Sequence, residues 1–312
     1  MGYALSREQA IAPNIHRILN EQVQAARQAL NETGQAKGEA IHSVRKRIKK
    51  IRALIRLVKS ELKKDDFKRI NAHYRTIGQT LSPLRDATVM IKTLDKLRQT
   101  HPPQIAPAVF ATLNKTLTLR QDQASRAFFD DPMNIGAVAE AFRQAPMKLS
   151  GLSKHQRSFS FFGPNLKDVY RRGRRALHLA HHEASIDNLH ELRKEVKTIW
   201  YHTRLLEPIW PGVIGAYEHE FGQLGELLGD DHDFGVLAME IDSDRLILRN
   251  KESKEKVLQA LHGQRTALQE RIYLLANRLF AEKPHSFVDH YRLYWKLWQK
   301  EPDEINQKGL ND

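Results

Sequence analysis

The 312-residue chain has no cysteine, which excludes disulfides, thiolate chemistry and cysteine-ligated zinc or iron–sulfur centres. That absence suits a reducing compartment, so the expected location is the cytoplasm. No run approaches the ~18 uninterrupted apolar residues of a membrane helix, and the first residues lack the basic-then-apolar pattern of a secretory signal. The expectation is a soluble, unexported protein without a membrane span. Alternating β-rich runs bounded by hairpin turns are also scarce. There is no Walker A loop, dinucleotide glycine fingerprint, nucleophile elbow or HExxH pair, so the sequence gives no cofactor, resident metal or enzyme class.

Acidic residues are locally scarce too. The chain carries 50 Lys and Arg against 37 Asp and Glu, a net charge of +13, and from Ile41 to Ser60 it has no carboxylate at all. Such a balance predicts attraction to phosphates, nucleic acids or anionic lipid heads. Apolar residues recur at helical spacing almost everywhere, which predicts an all-α protein. Expected helices lie near 8–31, 39–62, 66–99 and 105–129, with breaks at Thr33-Gly34, Lys64-Asp65 and His101-Pro102-Pro103 and a kink at Pro83. The second half offers helices near 165–182, 187–206, 213–247 and 251–281, then a short aromatic helix near His285–Gln299 with Tyr291, Tyr294, Trp295 and Trp298, expected to pack into the core. Residues 131–163 read as a connector, basic and aromatic in part.

The two halves resemble each other. Ile41-His42-Ser43-Val44-Arg45-Lys46-Arg47-Ile48-Lys49 aligns with Leu189-His190-Glu191-Leu192-Arg193-Lys194-Glu195-Val196-Lys197, and the match continues to Arg56 and Arg204. Ala12-Pro13-Asn14-Ile15 precedes the first copy as Gly163-Pro164-Asn165-Leu166 precedes the second, and Leu81 to Asp86 follows it as Leu228 to Asp233 follows the second. Three markers in one order indicate an internal duplication, with repeats at about 8–130 and 164–282 and an extra helix at 285–300. Two four-helix units packed about a pseudo-twofold axis are the structural expectation.

At about 100° per residue, His42, Arg45, Lys46, Lys49 and Arg56 form one stripe, opposite Val44, Ile48, Ile51, Ile55 and Val58. His190, Arg193, Lys194, Lys197 and Arg204 repeat the stripe opposite Leu192, Val196, Ile199 and Leu206. Stacked like charges at i,i+4 cost about 0.2–0.5 kcal/mol per pair, so an anion or a neighbouring carboxylate is expected to neutralise them. The two histidines are placed near helix N-termini, where backbone N–H groups favour anions. Arg171, Arg172, Arg174 and Arg175, with Lys167 one turn earlier, are expected to widen the surface. Asp230-Asp231-His232-Asp233 has donors enough for a divalent ion, but consecutive residues on a helix diverge, so a role in orienting the basic residues is preferred, with Asp86 and Asp233 as partners for motif arginines.

His-x-apolar-Arg followed four residues later by Lys, occurring twice in an all-helical basic chain, resembles the CHAD family, the conserved histidine α-helical domain. The motif helices His42–Arg52 and His190–Trp200 and the Leu-Gly-x-x-Arg-Asp-like pair Leu81–Asp86 and Leu228–Asp233 carry the resemblance over nearly the whole chain. It implies a stand-alone module of two four-helix bundles that binds inorganic polyphosphate without turnover, through motif His, Arg and Lys residues including Arg52, in some cases at polyphosphate granules. Departures are visible: Thr198 and Trp200 stand where Lys50 and Arg52 stand in the first copy, Glu191 and Glu195 bring acids near the stripe, Ser82-Pro83 replaces the later motif's Gly, and Asp231-His232 replaces Leu-Arg. The second copy is therefore expected to bind less strongly. The competing readings are a metal-dependent phosphohydrolase using the acidic run, and a nucleic-acid-binding protein drawn by the same charge.

Overall fold

The computed structural model describes residues 2–30, 37–100, 105–145, 149–152 and 157–302, and every regular element among them is helical. The helices are α1 (Ile11–Leu30), α2 (Lys37–Leu57), α3 (Lys64–Thr80), α4 (Ser82–Gln99), α5 (Pro107–Phe129), α6 (Pro132–Arg143), α7 (Gly163–His182), α8 (Ile186–Leu206), α9 (Pro211–Asp242), α10 (Lys251–Leu279) and α11 (Pro284–Trp298). The expected breaks at Thr33-Gly34 and His101-Pro102-Pro103 lie outside the described residues. None of these helices is long and apolar enough to cross a membrane.

Two expectations are corrected by the same chemistry. The single kinked helix over 66–99 is two helices, because Pro83 sits in the first turn of α4, where its missing N–H is not needed, and the chain turns at Leu81. The connector contains α6, again with a proline, Pro132, in its first turn and with Asp131 accepting from the Met133 N–H as its cap. Val138 and Phe142, one turn apart, bury that helix against α1 and α3. In both places proline starts a helix rather than interrupting one.

Packing centres on α2 and α8, which lie against each other. Around them α1 and α3 flank α2, while α7 and α9 flank α8, and Val44, Ile48 and Ile51 share one core with Leu192, Val196 and Ile199. His202 ties the two central helices: its Nε2–H donates to the Ala53 carbonyl at 2.9 Å, and burial, which outweighs the opposite pull of that bond, holds the imidazole neutral with its pKa down at about 3. The N-terminal segment crosses the same junction, with Tyr3 Oη donating to the Lys50 carbonyl at 2.8 Å and Leu5 N–H donating to the Leu205 carbonyl at 3.1 Å.

A second core joins α4 and α5 to α9 and α10 through Leu94, Leu97, Phe110, Leu113, Phe234, Leu237 and Leu261. Helix α4 thereby reaches from α2 across to α9. The aromatic helix α11 is packed as expected: Tyr291, Trp295 and Trp298 are buried, and Phe287 stacks on Tyr170 at 4.1 Å. Their burial leaves the charged faces of α2 and α8 as the feature the fold still has to explain.

Candidate polyanion-binding site

Helix α2 buries Val44, Ile48, Ile51 and Ile55 completely or nearly so, which leaves Arg45, Arg52 and Arg56 half-buried toward α3, α4 and α8 and Lys49 exposed between them. Arg45 Nη1 donates to the Gly78 carbonyl at 2.7 Å and to Ser82 Oγ at 2.9 Å. Arg52 Nε donates to Asn71 Oδ1 at 3.1 Å, and Arg56 Nη1 donates to Thr198 Oγ1 at 3.2 Å across the junction with α8. Arg45, Lys49 and Arg52 line a pocket of about 200 Å³ together with Arg75, Gly78, Gln79 and Ser82. Among the described residues no carboxylate lies within ion-pair distance of Arg45, Lys46, Lys49, Arg52 or Arg56.

The two stripes meet at Lys49. Desolvation by the side chains crowded around it, then the charges of Arg85, Arg193, Arg45 and Lys197, push its ammonium down to about 7. The same crowding lowers Arg52 to about 10, after burial through Arg56 and Arg75. Arg85 on α4 is the common neighbour, acting electrostatically on His42, Arg45, Lys49, Arg193 and His232. Sequence reading placed Arg85 only within a landmark, and Arg75 not at all. The available signal was the Leu81–Asp86 motif itself, which repeats the order of the second half.

Helix α8 reaches the site over two glycines of α9. A Cβ on Gly225 would lie 2.9 Å from Lys197 Cε, and one on Gly229 would lie 3.3 Å from Arg193 Nη2, so the lack of side chains at those positions lets both cationic chains approach α9 closely. Gly78 and Ser82 seat Arg45 in the first half at the corresponding places of the motif. The second landmark is thus a saddle for the motif arginine.

Here the halves differ in charge compensation. Lys197 pairs with Glu226 at 2.7 Å and lies 4.5 Å over the Trp200 ring, while Lys194 pairs with Glu191. Arg204 also faces Trp200, at 5.9 Å. Arg172 binds Glu195 at 3.0 Å and also Asp168, so Glu195 draws α7's cation toward Arg56. Not every expected residue joins the path. Arg174 is turned away, donating to the Glu282 carbonyl at 2.8 Å beyond the end of α10; Arg171 is exposed and paired with Asp168 on its own helix; Lys167 is exposed one turn before it.

The histidines need a correction. His42 and His190 lie in the second turns of α2 and α8, past the free N–H groups of the first turn, so helix N-termini do not add to the site there. His42 is largely exposed, and its pKa is lowered by the partial desolvation its neighbours impose and then by the charges of Lys49, Arg85, Lys46 and Lys92. His190 falls to about 4 through burial, His232, Arg193 and Lys194. Four buried side-chain nitrogens on the path make no hydrogen bond: Arg45 Nε, His190 Nδ1, Arg193 Nε and His232 Nδ1. The two arginine nitrogens are donors whose unmade bonds are costly, and an oxyanion would supply their acceptors, as it would for an imidazole nitrogen that carries a proton.

The acidic run is helical and its members diverge. Asp230 pairs with Lys96 of α4, Asp231 faces Arg265 and Gln269 of α10, and His232 faces His190 of α8. Asp233 feels Arg193 and Arg85, although burial raises its pKa; Asp86 lies 3.9 Å from Arg85. Among the described residues, neither Asp86 nor Asp233 is within ion-pair distance of the motif arginine of its own half, and no three His, Asp or Glu side chains are grouped to hold a metal ion.

A family model, described as the CHAD domain, matches residues 17–242. The structure of PptA from Streptomyces chartreusis is similar in fold at 14% identity and a TM-score of 0.60, covering 86% of this chain and 98% of that one. The CHAD domain from the plant Ricinus communis aligns at 16% identity over 94% of each chain with a TM-score of 0.49. No curated protein matches.

Proposed function

Because the chain belongs to the CHAD family, we propose that it binds inorganic polyphosphate, without turning it over, along the path formed by α2, α4 and α8. The observation that carries this is the convergence of Arg45, Lys49, Arg85, Arg193 and Lys197, with the α2 cations lacking carboxylate partners. A linear chain of phosphates offers one negative charge per short repeat and needs no base-reading surface, which suits a row of guanidinium and ammonium groups. The pseudo-twofold arrangement belongs to the same proposal. It is supported by a reciprocal contact: Arg56 bonds Thr198, while Arg204 acts on Lys50, and these are corresponding positions of the two repeats. Association with polyphosphate granules in the cytoplasm follows from the family resemblance.

The test is calorimetry with size-defined polyphosphate. Arg45→Ala with Lys49→Ala is expected to weaken binding by about 100-fold, two charge-assisted contacts being lost. Arg193→Ala with Lys197→Ala is expected to cost only about tenfold, because Lys197 must give up Glu226 before it can serve a phosphate. Equal losses would remove the asymmetry, and no loss in either would remove the path. Competition with single-stranded and duplex nucleic acid ranks the other polyanions. Phosphate release that requires magnesium and disappears in Asp233→Ala would replace binding by hydrolysis.

A further inference from the structure

Aligned on the second landmark, Arg85 of the first half corresponds to His232 of the second, so a permanent cation is exchanged for a titratable one. His232 does not stand alone. Its ring lies 4.5 Å from that of His190, one imidazole coming from α9 and the other from α8, and the Nδ1 of each is buried without a hydrogen-bond partner. Around the pair stand Arg193 and Lys194 of α8, Arg85 of α4 and Arg265 of α10, with Glu191 beside His190 and Asp231 beside His232. Asp233 and Asp230 act on Arg193, and Lys96 in turn acts on Asp233.

Two adjacent imidazoles can hold a metal ion or an anion, and the surroundings decide between them. Arg193, Arg85 and Lys194 repel a cation, and no third His, Asp or Glu completes a metal-binding group among the described residues. The same cations attract an anion, which would accept hydrogen bonds from the unpartnered nitrogens once these carry protons. We propose that His190 and His232 form a proton-taking phosphate subsite, so that polyanion binding is accompanied by proton uptake and tightens as pH falls. The inference rests on the polyphosphate reading of the path and adds His232 to it.

The sign follows from the free protein. Burial and neighbouring cations hold both imidazoles below the ordinary histidine value, His190 at about 4, so both are neutral at neutral pH. A phosphate in contact favours the imidazolium and raises both values, and the protons of a close pair are taken up by the pair as a unit. Affinity therefore grows as pH falls through the window between the raised bound value and the depressed free one. Each group raised by one unit contributes about tenfold.

Lys49, at about 7, also gains a proton when a phosphate arrives, so the experiment starts from Lys49→Arg, in which that charge is permanent. Long polyphosphate, whose interior groups stay ionised, is titrated into the full chain in two buffers of different protonation enthalpy and across pH. Proton uptake is expected in Lys49→Arg, reduced when His232→Gln is added. His232→Arg, which restores the first half's arrangement, is expected to bind with a flatter pH profile and at least about tenfold more tightly near pH 8. Should His232→Gln fold poorly, NMR titration of the imidazole signals in the unmutated protein decides, both pKa values rising with polyphosphate. Binding with uptake that His232→Gln leaves unchanged, or imidazole values that do not move, overturns the subsite alone. Absence of binding at every pH overturns the polyphosphate reading as well.

Discussion

Raising the salt concentration from about 50 to 200 mM is expected to weaken the binding of long polyphosphate by roughly 300-fold, the largest change foreseen for this protein. About six cations face the path: Arg45, Lys49, Arg52, Arg85, Arg193 and Lys197. With a slope of about −0.7 per neutralised charge, as for single-stranded polyanions, six contacts give roughly −4 on a log–log plot and about 2.5 decades over that range. Dissociation constants at several potassium chloride concentrations measure the slope directly. A slope near −1 would mean that only one or two cations meet the ligand, and the shared path would be lost. A chain too short to pass from α2 to α8 is expected to show both weaker binding and a shallower slope, because it cannot engage the two helices together.

What the sequence made legible was whatever depends on a single helix. The two stripes were readable because residues three and four apart share a face, and Val44, Ile48, Leu192 and Val196 are buried as that spacing requires. Helix starts were less legible: Pro83 and Pro132 read as interruptions, yet each occupies a first turn. Arg85 escaped notice for a different reason. It lies on α4, outside both repeated stripes, and only the packing of α4 against both α2 and α9 brings it among their charges. Gly229 was read only as a motif letter and Gly225 not at all, whereas their role depends on what crosses them, Lys197 at Gly225 and Arg193 at Gly229. Four consecutive polar residues, Asp230 to Asp233, looked like one cluster, and a helix sends them to three different neighbours.

Asp231 is the member of that run on which the fold depends, and Asp231→Ala is expected to destabilise the protein by about 3 kcal/mol, at the lower end of the range for breaking a buried pair. Its carboxylate is fully buried and accepts hydrogen bonds from Arg265 Nε at 3.1 Å and Gln269 Nε2 at 2.8 Å. Removing it leaves the Arg265 guanidinium, only 14% exposed, beside an apolar interface with no acceptor in its place. The remaining exposure lets some water in, which is why the lower end applies. Chemical denaturation with unchanged m-value measures the loss. Replacing the three groups together by apolar residues, Asp231→Leu, Arg265→Met and Gln269→Leu, is expected to recover most of it, since a well-packed apolar set often matches a buried ion pair. If Asp231→Ala costs less than about 1 kcal/mol, the pair is no more than a surface bridge. The consequence reaches the binding path, because the α9 held by Asp231 is the helix whose Gly225 and Gly229 seat Lys197 and Arg193. Magnesium, which would restore the variant's stability or binding only if the run served as a metal site, is expected to do neither.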